Sequence, residues 1–284
     1  MDAQVDAYLK LAQDLVLNSK KQHQLKNKSY CHIGGVRIDS TSYKDAISKI
    51  LDLTQEEKGA NIIIANAHLV YEARKNKLKD IINSAELVTP DGLPLLWAQK
   101  LSEMKKGKKV SGPDLFPLLC KEAEKKKIPV GFYGAKEDIL DKLIKKIKRE
   151  FPNLDLRYSY SPPFRPLTDA EDQKVIRDIN RSGAKILFVG LGCPKQEIWA
   201  GMHKHKINAV MVTVGAAFDF IAGSKKRAPK WMQKAGLEWL YRLITEPRRL
   251  WRRYLVGNSY FMYLLSKKII KKIFSNKRKN KYEN

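Results

Sequence analysis

The run Ile186-Leu187-Phe188-Val189-Gly190-Leu191-Gly192-Cys193-Pro194-Lys195-Gln196-Glu197 constrains the fold more than any other stretch of the chain. Four consecutive apolar residues, two of them β-branched, meet two glycines and a proline and then a polar, helix-compatible segment. This predicts a strand buried on both faces, a tight turn and a helix start. Gly190 and Gly192 permit backbone geometry and close approach that a side chain would block. Free N–H groups at the start of the following helix, with Lys195 beside them, suit an anionic group such as a phosphate. Lys195, Gln196 and Glu197 set three reaching polar side chains at a strand's carboxyl end, where α/β proteins bind ligands. On the glycines alone the alternative stays open that they only make the turn.

The same strand-then-glycine unit recurs. Asn61–Ala65 runs into Asn66-Ala67-His68, Val130–Tyr133 ends at Gly134, and Val210–Val214 ends at Gly215. Helical periodicity falls between them, over Ser40–Thr54, through Leu69, Val70 and Ala73, and over Asp138–Phe151 and Asp169–Arg181. Shorter strands are expected at Val36–Ile38 and Leu154–Tyr158. Turn composition marks Thr89-Pro90-Asp91-Gly92 and the proline-rich Ser161–Pro166. Continuous apolar strands alternating with helices predict an α/β fold, a mainly parallel sheet with helices on both faces.

Charge divides the chain. Of a net +25 over 284 residues, residues 225–284 carry +15, from 18 Lys/Arg against 3 Asp/Glu. Three regions follow: an amphipathic helix and linker over 1–28, the α/β body over 29–224, and a basic, Trp- and Arg-rich helical appendage over 225–284. Read as a helix, 248–255 pairs Arg248 with Arg252 and Arg249 with Arg253 on one side, and Leu250 with Tyr254 and Trp251 with Leu255 on the other. Four guanidiniums on one face favour phosphate recognition over a merely solvated surface. The apolar run Tyr260–Leu265 and the lysines after it suit an anionic membrane surface. No signal peptide and no window of eighteen uninterrupted apolar residues is legible, so the expected location is cytoplasmic, with peripheral membrane contact. Cys31, Cys120 and Cys193 make neither a disulfide framework nor a metal set.

Three acidic loops follow strands. Asp114 and Asp219 read first as caps or turn residues. Asp91 precedes the apolar segment Leu93–Leu101, so its carboxylate projects beside a hydrophobic wall, where it can serve as a general base. Asn66 and His68 also stand at a strand end. No acidic pair is spaced for a metal; Asp169-Ala170-Glu171 is explained by capping from Thr168. No Walker A, G-x-S-x-G or complete G-x-G-x-x-G occurs.

The strings Asn66-Ala67-His68, Pro90-Asp91-Gly92, Gly190–Glu197, Gly215-Ala216-Ala217-Phe218-Asp219, Arg227–Gln233, Gly236–Leu243 and Glu246–Tyr254 together resemble the WecG/TagA/CpsF family of bacterial glycosyltransferases, in order and over about residues 33–265. The resemblance implies a Rossmann-like fold. It also implies an inverting, metal-independent and cofactor-free transfer of a sugar, often N-acetylmannosamine, from a UDP-sugar donor to a polyprenyl-diphosphate-linked acceptor at the inner membrane face. It makes Asp91 the base, with His68 and Asn66 beside it. It has Gln196 contact the donor and the arginines Arg248, Arg249, Arg252 and Arg253 close over the diphosphate. Lys109, Gly134, Gly190, Gly192, Pro194, Lys195, Glu197, Asp219 and Arg227 complete the expected substrate-binding set. At a position where many members carry threonine, this chain has Ile64, which leaves the donor sugar open. A homo-oligomer is also left open. The competing class is a nucleic-acid-binding α/β protein with a basic tail. Against it stand the apolar face of the arginine helix and the small-molecule cleft, so no nucleic acid is expected as a partner.

Overall fold

The computed structural model describes residues 29–74, 76–104 and 107–281. The helix expected over 1–28 lies outside them. The described chain opens with an antiparallel hairpin, β1 (Tyr30–Ile33) and β2 (Val36–Asp39). Six further strands are β3 (Ala60–Ala65), β4 (Leu87–Pro90), β5 (Val130–Gly134), β6 (Leu156–Tyr160), β7 (Ile186–Gly190) and β8 (Val210–Thr213). They form one parallel sheet in the order β4-β3-β8-β7-β5-β6. The helices between and after them are α1 (Tyr43–Leu53), α2 (Ala67–Glu72), α3 (Asn76–Asn83), α4 (Leu93–Leu101), α5 (Gly112–Lys125), α6 (Glu137–Glu150), α7 (Asp169–Ser182), α8 (Lys195–His203), α9 (Ala217–Ile221), α10 (Lys230–Ala235), α11 (Glu238–Thr245) and α12 (Pro247–Lys281).

The two-residue period of a strand sends alternate side chains to opposite faces, and both faces are covered. Ile62, Phe132, Phe188 and Val212 meet α1, α5, α6 and α9. Ile63, Ala65 and Val88 meet α2, α3, α4 and α12, while Leu187, Val189 and Met211 meet α7 and α8. This is why β3 and β7 are apolar apart from Asn61, whose buried amide donates to Ala200 O at 3.1 Å. At the centre of the first face Phe116, Phe132, Phe188 and Phe218 pack with ring centroids 4.4–5.9 Å apart. Each such pair contributes about 0.5–1.5 kcal/mol beyond area burial.

Three details depart from the sequence reading. Thr89 and Pro90 belong to β4 rather than to a turn. An edge strand tolerates a proline because one side of it needs no further ladder donor. The last strand of the sheet starts at Leu156, not Leu154, since Leu154 N–H bonds Phe151 O in the turn closing α6. Thirdly, α12 is one continuous helix that lies on α2 and α4, burying Leu250, Tyr254, Phe261 and Leu265. The run Tyr260–Leu265, read as interfacial, thus gives Phe261 and Leu265 to the core and leaves Met262 and Tyr263 exposed. Among the described residues no helix is long and apolar enough to cross a membrane.

Candidate active site

A cavity of about 1460 Å³ opens at the carboxyl ends of β3, β4, β5, β7 and β8, roofed by α11 and the first half of α12. Backbone geometry shapes its floor. Gly192 sits at φ +81°, which only glycine adopts without strain. At Gly190 an added Cβ would stand 2.5 Å from the Phe218 ring. Gly134 packs behind Gly190, and neither it nor Pro194 is in the lining.

The polar trio after this turn divides its work. Lys195 is exposed and faces the cavity. The Gln196 side chain is 3% exposed. Its Oε1 accepts from Gly192 N at 3.2 Å and Gly215 N at 3.0 Å, and its Nε2 donates to Glu197 Oε1 at 2.7 Å. The amide therefore ties the β7 loop to the β8 loop and occupies the Gly192 N–H that sequence reasoning left free for an anion. Glu197 is 1% exposed, and burial pushes its carboxyl up to about 7, against the bond from Gln196. Its Oε2 is buried without a hydrogen-bond partner.

Asp91 follows β4 directly, its N–H bonded to Ala65 O at 2.6 Å. The residue keeps partial contact with the cavity, yet the surrounding protein raises its carboxyl to about 6, with Lys109 opposing the rise. No hydrogen bond is among the causes of that shift. Lys109 lies in the lining and pairs with Glu238 Oε2 at 3.4 Å. Arg227 stands behind, outside the lining, 3.7 Å from Glu238 Oε1 and bidentate to Asp114 at 2.6 and 3.0 Å. Asp114 also accepts from Ser111 Oγ at 2.6 Å. Burial alone would raise the Asp114 carboxyl, but the bonds from Arg227 and Ser111 hold it at about 2. Asp114 is thus structural, and it anchors the segment that leads to α11.

Asn66 and His68 both line the cavity. Asn66 caps α2, its Oδ1 accepting from Leu69 N at 3.1 Å, which leaves its amide NH₂ for a ligand. Burial, helped by the Arg253 charge, lowers His68 to about 4, so the imidazole is neutral at pH 7. Asp219 faces the cavity 3.6 Å from Lys225 Nζ. The four arginines do not act as one face: Arg249 and Arg253 line the cavity, while Arg248 and Arg252 lie exposed outside it. Arg253 is largely buried, and its Nε has no hydrogen-bond partner. Sequence reasoning missed Arg242, on α11, which faces the cavity with its guanidinium 5.5 Å from the Phe220 ring. The amphipathic Glu238–Thr245 stretch was the available signal for it. Among the described residues no cluster of His, Cys, Asp or Glu is arranged to hold a metal ion.

This cleft lies in a segment that a sequence profile covers as a whole: residues 31–275 match that of the Glycosyl transferase WecG/TagA/CpsF family. The chain belongs to this family. It is a glycosyltransferase. Two relatives from Bacillus, one from B. spizizenii strain W23 and one from B. subtilis strain 168, are N-acetylglucosaminyldiphosphoundecaprenol N-acetyl-β-D-mannosaminyltransferases. The first is 36% identical over 74% of this chain and 80% of its own length, the second 31% over 88% and 95%. A Staphylococcus aureus protein of the same description is 27% identical over 85% of this chain and 94% of its own. The WecG/TagA/CpsF profile reaches from β1 into the second half of α12, so it takes in both the strand-end loops and the helices that roof them.

Proposed function

We propose that this glycosyltransferase moves N-acetylmannosamine, with inversion, from a UDP donor to an N-acetylglucosaminyl-diphosphate-polyprenol at the cytoplasmic membrane face. The observation that carries the reading is the opposition within one cavity of Asp91, a carboxylate with no hydrogen bond of its own and a raised proton affinity, and the guanidiniums of Arg242, Arg249 and Arg253. Asp91 takes the proton of the acceptor hydroxyl as its oxygen attacks the anomeric carbon. The bond from that carbon to the UDP oxygen breaks, and the charge left on the diphosphate falls to the arginines and Lys195. Such preorganised charge stabilisation is commonly the largest catalytic term. Asn66 and neutral His68 orient the sugars, and Gln196 holds the two loops together at the cavity floor. The basic face of α12 brings the enzyme to the anionic leaflet where the acceptor resides.

The test is transfer from UDP-N-acetylmannosamine to a soluble N-acetylglucosaminyl diphosphate analogue, with UDP-N-acetylglucosamine and UDP-glucose as competitors. Product with the first donor alone is expected. Turnover with none of them would overturn the proposal.

A further inference from the structure

Helix α12 crosses the cleft, and its two flanks differ in chemistry. Arg249 and Arg253 line the cavity on one flank, and Asn258 and Met262, half a turn round the helix by its 3.6-residue period, line it on the other. The second flank lines the same cavity as Asp91. Leu93 and Trp97 of α4, Leu237, Trp239 of α11, and Tyr254 and Met262 of α12 give that cavity an apolar lip. Tyr254 and Trp239 have ring centroids 5.9 Å apart, and Leu93 packs on Gly236, where an added Cβ would meet its Cδ1 at 2.5 Å. Trp97 is 48% exposed and Met262 56%.

From Met262 the apolar surface continues out of the cleft. Trp251, Leu255, Met262, Ile269 and Ile273 are all exposed, and their spacings of 4, 7, 7 and 4 return to one line on a helix. The segment from Met262 to Ile273 is about 16 Å long at 1.5 Å per residue. A stripe that passes through Met262, inside the catalytic cavity, differs from an apolar face that merely touches a bilayer.

We propose that this lip and stripe form the track for the polyprenyl chain of the acceptor, with Trp97, Trp239 and Met262 gripping the isoprene units next to the diphosphate. The inference rests on the proposed function for the identity of the acceptor. It divides the cleft by chemistry, with donor diphosphate on the arginine flank of α12 and lipid on the methionine flank.

The experiment uses acceptor analogues that differ only in prenyl length, from none to four isoprene units, in buffer below their aggregation limits and without vesicles. KM should fall by at least about 10-fold between the shortest and longest chains, as expected when several methylenes leave water. Ile269→Gln and Ile273→Gln should remove most of that gain and leave transfer to the prenyl-free acceptor unchanged. Calorimetric titration with farnesyl diphosphate against inorganic diphosphate gives a readout independent of turnover, and the prenyl compound should bind at least about 10-fold more tightly. A chain-length gain that appears only with vesicles would assign the stripe to the bilayer and overturn the track. So would equal binding of the two diphosphates, or variants that keep the full gain. Absence of transfer to every acceptor, with farnesyl diphosphate still bound tightly, would sink the reaction assignment and leave the track standing.

Discussion

Asp91 and Glu197 are carboxyls raised by the same physical cause to different ends. Asp91 borders the cavity, and burial, opposed by Lys109, raises its carboxyl to about 6, which suits the base proposed above. The acidic limb of kcat/KM should therefore lie near pH 6, with activity lost below it as Asp91 takes up its proton. Asp91→Asn should cut turnover by ~10²-fold or more and keep UDP binding, read by a thermal shift. Near wild-type turnover in this variant would reduce Asp91 to a turn residue. Glu197 lies almost wholly buried in the cavity floor with one oxygen unpartnered. A carboxyl whose folded-state pKa is raised binds its proton more tightly when folded, so stability is greatest at low pH and falls as pH rises through about 7. Glu197→Gln should accordingly be more stable than wild type by roughly 1–3 kcal/mol at pH 8 and show no gain near pH 4.5, by denaturant melts at both values. A variant less stable at pH 8 would mean that the ionised carboxylate is held by partners the structure does not show.

At the scale of elements, α12 does several jobs along one length. Its first turns place Arg249 and Arg253 over the strand ends and turn Arg248 and Arg252 to solvent. Arg253→Gln should lower kcat by about 10²-fold, as for a lost transition-state donor, whereas Arg248→Gln with Arg252→Gln should leave kcat for a soluble acceptor within about 2-fold. Equal losses in the two variants would restore the single four-arginine face. The middle of α12 supplies Phe261 and Leu265 to the core under β1 and β2. Truncation after Leu265 therefore keeps the core contacts but removes Lys267, Lys268 and Lys272. It should weaken binding to anionic vesicles in a salt-sensitive way, at about 1 kcal/mol per lost cation, and spare transfer to a prenyl-free acceptor. Vesicle sedimentation alongside the transfer assay separates the two effects.

For the whole molecule, the distribution of charge bears on the mechanism. Of the net +25, +15 falls in residues 225–284, which include the helices that roof the cleft, and three of their arginines reach the cavity. Arg242, Arg249 and Arg253 can offset the charge of a departing diphosphate without a divalent ion. Transfer should persist in excess chelator, within about 2-fold of the untreated rate, since preorganised guanidiniums need no metal to neutralise a leaving group. Abolition by EDTA with recovery on adding Mg²⁺ or Mn²⁺ would require a different account of leaving-group stabilisation.

The sequence by itself determined the sheet and its loops. Apolar runs such as Ile186–Val189 have to be buried on both faces, and glycines at 190 and 192 have to end them, because local sterics and hydrophobicity act within a few residues. The strings carrying Asp91, Gln196 and the arginines pointed to the family for the same reason: each is a contiguous stretch whose residues survive as a pattern. Tertiary structure alone decided what those side chains do once the strand ends converge. Gln196 is turned inward because Gly215, nineteen residues away, brings an N–H to its Oε1. Arg227 is spent on Asp114 across 113 residues of chain, and α12 rolls two of its four arginines out of the cleft because Leu250, Phe261 and Leu265 take the buried side. Long-range packing chooses which face of a helix is inside, and no local spacing of residues 248–255 carries that information.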